Sequence, residues 1–74
     1  MKEQIIKILT ELRPEFDFSE NMNFIEEGML DSFDIVSLVD SLDEKYNISI
    51  SGLDIIPENF SSVEAIIHTI EKNK

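Results

Sequence analysis

A chain of 74 residues suffices for one small domain, and without cysteine it can form neither a disulfide nor a thiolate metal site. Its hydrophobic fraction of 42%, with only two glycines and two prolines, favours a helical bundle over a turn-rich β fold. Six basic residues against 16 acidic ones give a net charge of -10, which argues against nucleic acid or an anionic membrane as a partner and favours proteins with basic surfaces.

The first 12 residues have the spacing of an amphipathic helix. Its apolar stripe consists of Ile5, Ile8, Leu9 and Leu12, with Ile6 at the margin. Pro14 ends the helix, because a proline disfavours helical geometry in the residue before it. The charged start of the helix lacks the apolar run of a signal peptide or a membrane span, so we expect a cytoplasmic protein.

A long connection follows, from Arg13 to Leu30. Its spaced apolar side chains would be poorly placed in water, so we expect the connection to pack across the bundle as a strap; they are Phe16, Phe18, Phe24, Ile25 and Leu30. Oxygen-bearing side chains alternate here as at the start of a calcium loop: Asp17, Ser19, Asn21 and Asn23. Because Met22 stands where such a loop needs glycine and Gly28 where it needs glutamate, we predict no metal site.

The central helix begins at Asp31-Ser32. Asp31 is a good N-cap, because its carboxylate can accept from free N–H groups of the first turn. Ser32 then occupies the first helical position, where its hydroxyl can face water and where an attached phosphate would be stabilised by the helix N-terminus. The buried stripe of this helix is expected to be Ile35, Leu38, Val39, Leu42 and Tyr46.

Past Asn47, a plausible helix terminator, residues 48–52 are expected to be extended and residues 53–59 to form a short third helix. Ser61 and Glu64 fit a capping box, which predicts a last helix to about Lys72. Its buried stripe would be Val63, Ile66, Ile67 and Ile70. The whole pattern predicts an all-α, four-helix bundle, with three main helices, a short third helix and one domain spanning residues 1–74.

The stretch from Gly28 to Tyr46, GMLDSFDIVSLVDSLDEKY, resembles the signature of acyl and peptidyl carrier proteins. In that family the serine of an Asp-Ser pair that opens the second helix carries 4'-phosphopantetheine. The resemblance therefore implies that Ser32 is the attachment residue and that Asp31 helps to bind the metal ion of the modifying enzyme. The two residues between Gly28 and Asp31 resemble the spacing of D-alanyl carrier proteins, and Asp40 stands where fatty-acid carriers often have an apolar residue.

A carrier of this family is not itself an enzyme. The resemblance implies modification by a phosphopantetheinyl transferase, with coenzyme A as the donor. It also implies transport of a cargo acid, held as a thioester, between a ligase or synthase and other enzymes, by a protein that we expect to be monomeric. The cargo stays open at this point, between D-alanine or another small acid and a fatty or polyketide chain.

Phe33 and Val36 lie away from the buried stripe of the central helix, which predicts a docking patch for a partner. Acidic residues beside them could attract basic partners: Asp34, Asp40, Asp43 and Glu44. Alternatively, Phe33 folds back under the strap.

The rival function is an unmodified acidic module that holds a basic protein through the same residues. A hydrolytic or metal-dependent enzyme has only His68 and scattered acids in its favour.

Overall fold

The computed structural model describes residues 1–20 and 22–74, so Asn21 of the candidate calcium loop lies outside the described residues. Three α-helices occur in these ranges, α1 (Lys2–Leu12), α2 (Ser32–Tyr46) and α3 (Val63–Lys72). Two 3₁₀ turns lie between α2 and α3, at Gly52–Asp54 and Pro57–Phe60, and the described residues include no β-strand. The all-α prediction is therefore confirmed.

Helix α1 packs on both α2 and α3. Its stripe is centred on Ile5 and Leu9, which are fully buried, while Ile6, Ile8 and Leu12 pack at the edge of the core. The Tyr46 hydroxyl at the end of α2 donates to Gln4 Oε1 near the start of α1, at 2.9 Å. Arg13, just after α1, contacts Asp34 in the first turn of α2, so the two helices run antiparallel.

The strap packs across the bundle as predicted. Phe18 and Phe24 are buried in an edge-to-face pair with ring centroids 5.0 Å apart. The backbone N–H of Phe24 donates to Ser61 O at 2.7 Å, and its carbonyl accepts from Met29 N–H at 2.9 Å. Gly28 takes a φ of 72°, which glycine adopts without strain. Through Phe24, the strap thereby joins the residues just before α2 to the residues just before α3.

The segment after α2 differs from the prediction of one short third helix. Asn47 ends α2 in the left-handed conformation, as expected. Two separate 3₁₀ turns follow instead of a helix, because Pro57 supplies no N–H and can only begin a turn. The end of α3 stabilises the first turn, because Asp54 accepts from Lys72 Nζ at 2.9 Å and from Asn73 Nδ2 at 3.2 Å.

Helix α3 runs to Lys72, as predicted, but its N-terminal cap is different. The N-cap is Ser62, whose hydroxyl accepts from Ala65 N–H at 3.0 Å. The predicted capping box between Ser61 and Glu64 is wrong by one residue, because the Ser61 hydroxyl donates to Glu58 O in the preceding turn. The side chains of Val63, Ile66 and Ile70 complete the core. None of the helices in the described ranges has the length and apolar character needed to span a bilayer.

Candidate functional site

Ser32 is the first residue of α2 and its side chain is exposed to solvent. Asp31 is the N-cap, because its Oδ1 accepts from Asp34 N–H at 2.9 Å. The cap is therefore supplied by the neighbouring carboxylate, and the Ser32 hydroxyl forms no hydrogen bond with the described part of the chain. A hydroxyl in this position is free to react with an external partner.

The start of α2 is held by a reciprocal pair of side-chain contacts. Asp34 Oδ2 accepts from Asp31 N–H at 3.2 Å, which completes a capping box with the Asp31 to Asp34 bond. Arg13, which follows α1, reaches the same carboxylate: its Nε and Nη2 lie 2.9 Å and 2.8 Å from Asp34 Oδ2. Arg13 Nη2 also lies 3.6 Å from Asp31 Oδ2. The backbone on each side of Ser32 is therefore fixed by one network.

The network determines the charge state of Asp34. Burial raises the pKa of this carboxyl, but hydrogen bonds from Arg13 and Asp31 outweigh burial and hold the pKa below its ordinary 3.8. The hydrogen bond to Asp34 raises the pKa of the Arg13 guanidinium in turn. An ionised carboxylate, paired with a cation, thus lies within the first turn of α2.

The site fits an attached phosphate. Ser32 lies at the N-terminus of a 15-residue helix, where the dipole and free backbone N–H groups favour negative charge. Its side chain points into solvent, so a long group attached to Oγ meets no packed core. The hydroxyl has no hydrogen bond to an activating base among the described residues, and His68, in α3, is the only histidine of the chain. Ser32 is suited to being modified by another protein's active site.

The predicted apolar docking residues lie at the surface. Phe33 is 78% exposed and Val36 is 58% exposed. Phe33 therefore does not fold back under the strap, which keeps Leu30 and Phe24 buried without it. Both side chains lie on the outward side of α2, opposite Leu38 and Leu42, which have no exposed surface. An aromatic side chain in water directly beside Ser32 is available to a partner.

Of the four acidic residues predicted to lie beside this patch, two are exposed, one is half-buried and one is buried. Asp40 and Glu44 are exposed. Asp43 is half-buried and its Oδ1 accepts from Ile50 N–H at 3.1 Å, so it also holds the chain that follows α2. Asp34 is turned inward, with only 9% of its side chain exposed, and its contacts are to Arg13 and the Asp31 backbone. Asp34 therefore does not lie on the docking face, contrary to the prediction.

Three residues were not identified from sequence, one of them at this site and two elsewhere on the surface. Arg13 comes 21 positions before Asp34, and nothing in the local pattern indicates the contact. Leu53, which is 89% exposed, and Ile56 belong to the segment of 3₁₀ turns, where no helical period separates inner from outer positions. Their exposure enlarges the apolar surface of the protein beyond α2.

The described residues include no group of three or more His, Cys, Asp or Glu side chains that could hold a metal ion. The two carboxylates nearest Ser32 are already engaged by Arg13 and by backbone N–H groups of α2. The chemistry that the site offers is therefore a solvent-facing hydroxyl on a fixed helix start, with an aromatic side chain beside it.

Comparison with known proteins agrees with this geometry. Residues 3–70 match the family model described as "Phosphopantetheine attachment site". A D-alanyl carrier protein of Bacillus cereus (strain B4264) is 33% identical over 73 residues, which covers 96% of this chain and 92% of that protein. The D-alanyl carrier protein of Bacillus anthracis (strain CDC 684 / NRRL 3495) matches with the same identity and coverage.

The match extends over nearly the whole chain, from α1 to the last turns of α3, and includes the Asp31-Ser32 start of α2. An Asp-Ser dipeptide alone would not support this assignment, but the fold, the exposed serine and the similarity over nearly the whole chain agree. The chain belongs to the phosphopantetheine attachment family, whose members are carrier proteins without catalytic activity that bear 4'-phosphopantetheine as a covalently attached group.

Proposed function

We propose that Ser32 is the attachment residue and that residues 1–74 act as a single carrier domain for a small amino acid, with D-alanine as the leading candidate. The observation that carries the proposal is the exposed Ser32 side chain at the first position of α2, with its cap already provided by Asp31. When attached, the group supplies a flexible arm whose terminal thiol holds an acyl or aminoacyl cargo as a thioester.

The role of the chain in its own modification is limited to presentation. Ser32 Oγ forms a bond to the phosphorus that bears the pantetheine arm in coenzyme A. The bond from that phosphorus to the bridging oxygen of the pyrophosphate breaks, and the nucleotide part leaves. The serine proton passes to a base of the transferase, because the Ser32 hydroxyl is not hydrogen-bonded to a base among the described residues. Ser32 then carries a phosphodiester at the positive end of α2.

The cargo is inferred from two separate observations. The chain has two residues, Met29 and Leu30, between Gly28 and Asp31, a spacing that resembles D-alanyl carriers. The relatives that match nearly the full chain are D-alanyl carrier proteins. A fatty or polyketide chain is the competing cargo, and the exposed, polar Asp40 on the outer face of α2 is less suited to an apolar docking surface.

The partners that we propose follow from surface chemistry. Phe33 and Val36 would insert into an apolar site on an activating ligase, and Asp40 and Glu44 would meet basic residues around it. Asp43 would lie at the edge of this surface, and one of its carboxylate oxygens already accepts from Ile50 N–H. The transferase would use the same end of α2, where the Asp31 side chain, although it caps the helix, is exposed to solvent and would help to bind the metal ion of the transferase. We expect a monomer in the cytoplasm, where coenzyme A is available.

The first experiment tests the attachment residue. The purified protein is incubated with coenzyme A and a broad-specificity phosphopantetheinyl transferase, and its mass is followed. We expect the mass of one phosphopantetheine group to be added to the wild-type protein and to the control Ser41→Ala, which removes another exposed serine of α2. Ser32→Ala should gain nothing. Modification that persists in Ser32→Ala would overturn the assignment.

The second experiment tests the cargo on the modified protein. A D-alanine-activating ligase with ATP is compared with a fatty-acid-activating synthetase, and the product is identified by mass. We expect a hydroxylamine-sensitive gain of one alanyl group with the first enzyme and little product with the second. Efficient loading by the fatty-acid enzyme alone would make the chain a carrier of longer acids.

The unmodified interaction module is not favoured. That function predicts that binding to a basic partner survives Ser32→Ala and needs no arm, whereas the family match places the chain among proteins that bear the group. A ligase that binds the unmodified and modified forms equally, and transfers nothing to either, would return the interaction module to first place.

A further inference from the structure

Arg13 is the only arginine in the chain, and it joins two helices at the proposed attachment site. It follows the last turn of α1 as the C-cap residue, and its backbone N–H donates to Leu9 O at 2.9 Å. That bond fixes where its side chain starts. From there the guanidinium reaches the first turn of α2 and contacts the side chains of both Asp31 and Asp34.

These contacts fix the backbone on both sides of Ser32. Asp34 Oδ2 is shared by Arg13 Nε, Arg13 Nη2 and Asp31 N–H, at 2.9, 2.8 and 3.2 Å. Asp31 Oδ1 is held by Asp34 N–H, and its Oδ2 faces Arg13. A change in the position of the Ser32 main chain would break at least one of these contacts. The serine side chain itself remains outside the network.

The guanidinium also balances charge. Asp31, Asp34 and Glu15 all lie within 3.6 Å of Arg13 nitrogens. In the described ranges, no lysine forms an ion pair with any of these three carboxylates. Attachment would add a phosphodiester anion at Ser32 to this acidic site. Without Arg13, the new anion would face carboxylates with no positive charge paired to them.

We propose that Arg13 is a positioning residue for modification of Ser32: by holding the Asp31–Asp34 capping box, it fixes the backbone from which the serine side chain is presented to the transferase, and it offsets the acidic surroundings of the new phosphodiester. The inference rests on Ser32 being the attachment residue. Arg13 does not touch the reacting atoms in this structure, and its effect is transmitted through the two aspartates.

The chain offers a matched control at its other end. Lys72 pairs with Asp54 at 2.9 Å, and Asp54, like Asp34, is a buried acid. Arg13→Met and Lys72→Met each remove one positive charge and an ion pair with a buried acid of another element, although Arg13 also contacts Asp31 and Glu15. Lys72 is the last residue of α3, and its neighbour Asn73 accepts from Ser51 N–H, next to Ile50, whose N–H donates to Asp43 in the second half of α2. Lys72→Met therefore controls for the loss of one positive charge and of one ion pair between elements, and only Arg13→Met should affect Ser32.

The test measures initial rates of modification as a function of protein concentration, with coenzyme A saturating and all variants folded by circular dichroism. We expect Arg13→Met to lower kcat/KM by about tenfold, since misplacement of a reacting group is costly, and Lys72→Met to change it by less than about twofold. Arg13→Lys keeps the charge but lacks the planar fork, so we expect a loss of about threefold. Equal losses in both Met variants, or full activity in Arg13→Met, would overturn the role of Arg13.

A second measurement does not depend on the transferase. Hydrogen exchange of the Asp31 and Asp34 amides should accelerate at least about fivefold in Arg13→Lys, which retains the charge and is the milder change, with little effect in Lys72→Met. Unchanged exchange at both amides would contradict the inference even if Arg13→Met proved too unstable to assay. Failure of the wild-type protein to be modified at all would instead refute the attachment assignment, which Ser32→Ala and Ser41→Ala test separately.

Discussion

Arg13 Nη2 and Asp34 Oδ2 lie 2.8 Å apart, and this ion pair joins the end of α1 to the start of the helix that carries Ser32. Asp34 is largely withdrawn from water, while Arg13 is partly exposed. Water therefore reaches the Arg13 side of the pair, whereas the Asp34 carboxylate is buried and also accepts a hydrogen bond from Asp31 N–H. It has consequences for stability, for pH dependence and for the geometry of the site.

Removing the Asp34 side chain should destabilise the protein. Asp34→Ala removes the ion pair and half of the capping box, and we expect a loss of about 2 kcal/mol in the free energy of unfolding, kept moderate because Arg13 can return to water. The control is Asp40→Ala, which removes an exposed acid of the same helix and should change stability by less than about 0.5 kcal/mol. Equal urea midpoints for the two variants would show that the Arg13 contact contributes nothing.

The same pair predicts a pH dependence. The pKa of Asp34 is lower in the folded protein than its ordinary 3.8, so the unfolded chain binds this proton first as pH falls. The stabilisation is fully present well above 3.8 and is lost as pH falls through the folded value. Other acids titrate in both proteins, so the measurement is the difference in unfolding free energy between wild type and Asp34→Ala, which should shrink with acidification. A constant difference would contradict the lowered pKa.

Asp31 should matter for the stability of the protein, whereas Ser32 should matter for its modification and not for its stability. Asp31→Ala removes the N-cap of α2 and should cost about 1 kcal/mol. Ser32→Ala removes an exposed hydroxyl without a partner among the described residues and should stay within about 0.5 kcal/mol. Thermal or urea unfolding compares the two. A larger loss from Ser32→Ala would mean that the hydroxyl takes part in the cap.

Phe33 should matter for partners and not for folding. Phe33→Ala is expected to leave the free energy of unfolding within about 0.5 kcal/mol and to raise the KM of the activating ligase for the modified protein. Leu38→Ala, on the buried side of the same helix, should cost about 2–5 kcal/mol. Leu53→Ala tests whether the first 3₁₀ turn shares the docking surface. Unchanged ligase kinetics in Phe33→Ala would remove this residue from the interface.

The excess of acidic residues predicts that salt stabilises the protein. A net charge of -10 on a small domain is self-repelling, and screening over about 10 Å is reached near 0.1 M salt. The melting temperature should therefore rise between low and moderate sodium chloride. The double variant Asp40→Asn/Glu44→Gln removes two exposed charges and should reduce that rise. A melting temperature that is independent of salt would mean that the charges are balanced in space.

Local patterns predicted the elements that are local in origin. The bounds of α2, the Asp31 cap, the place of Ser32 and the termination at Asn47 follow from capping chemistry and helical period, and the structure confirms them. The cap of α3 was misplaced by one residue, because Ser61 and Ser62 are both suitable and only the contact of Ser61 with Glu58 distinguishes them.

Local sequence patterns could not predict the contacts between residues that are far apart in the chain. Asp34 shares its helix with exposed acids, and it turns inward because its carboxylate accepts from Asp31 N–H in the local capping box and from the distant Arg13. The first 3₁₀ turn is likewise held by Lys72 and Asn73, 18 and 19 positions further along. Pairings of this kind depend on how the helices are arranged, and a single sequence contains no periodic signal for them.

The hydrogen bond from Phe24 N–H to Ser61 O ties the strap to the entry of α3, as Arg13 ties α1 to the entry of α2. A chimaera in which α2 alone is exchanged between related carriers would therefore receive a helix whose starting point is set by residues left behind in the host. Exchange of partner recognition between carriers should succeed more often when the graft begins at Arg13 than when it begins at Ser32.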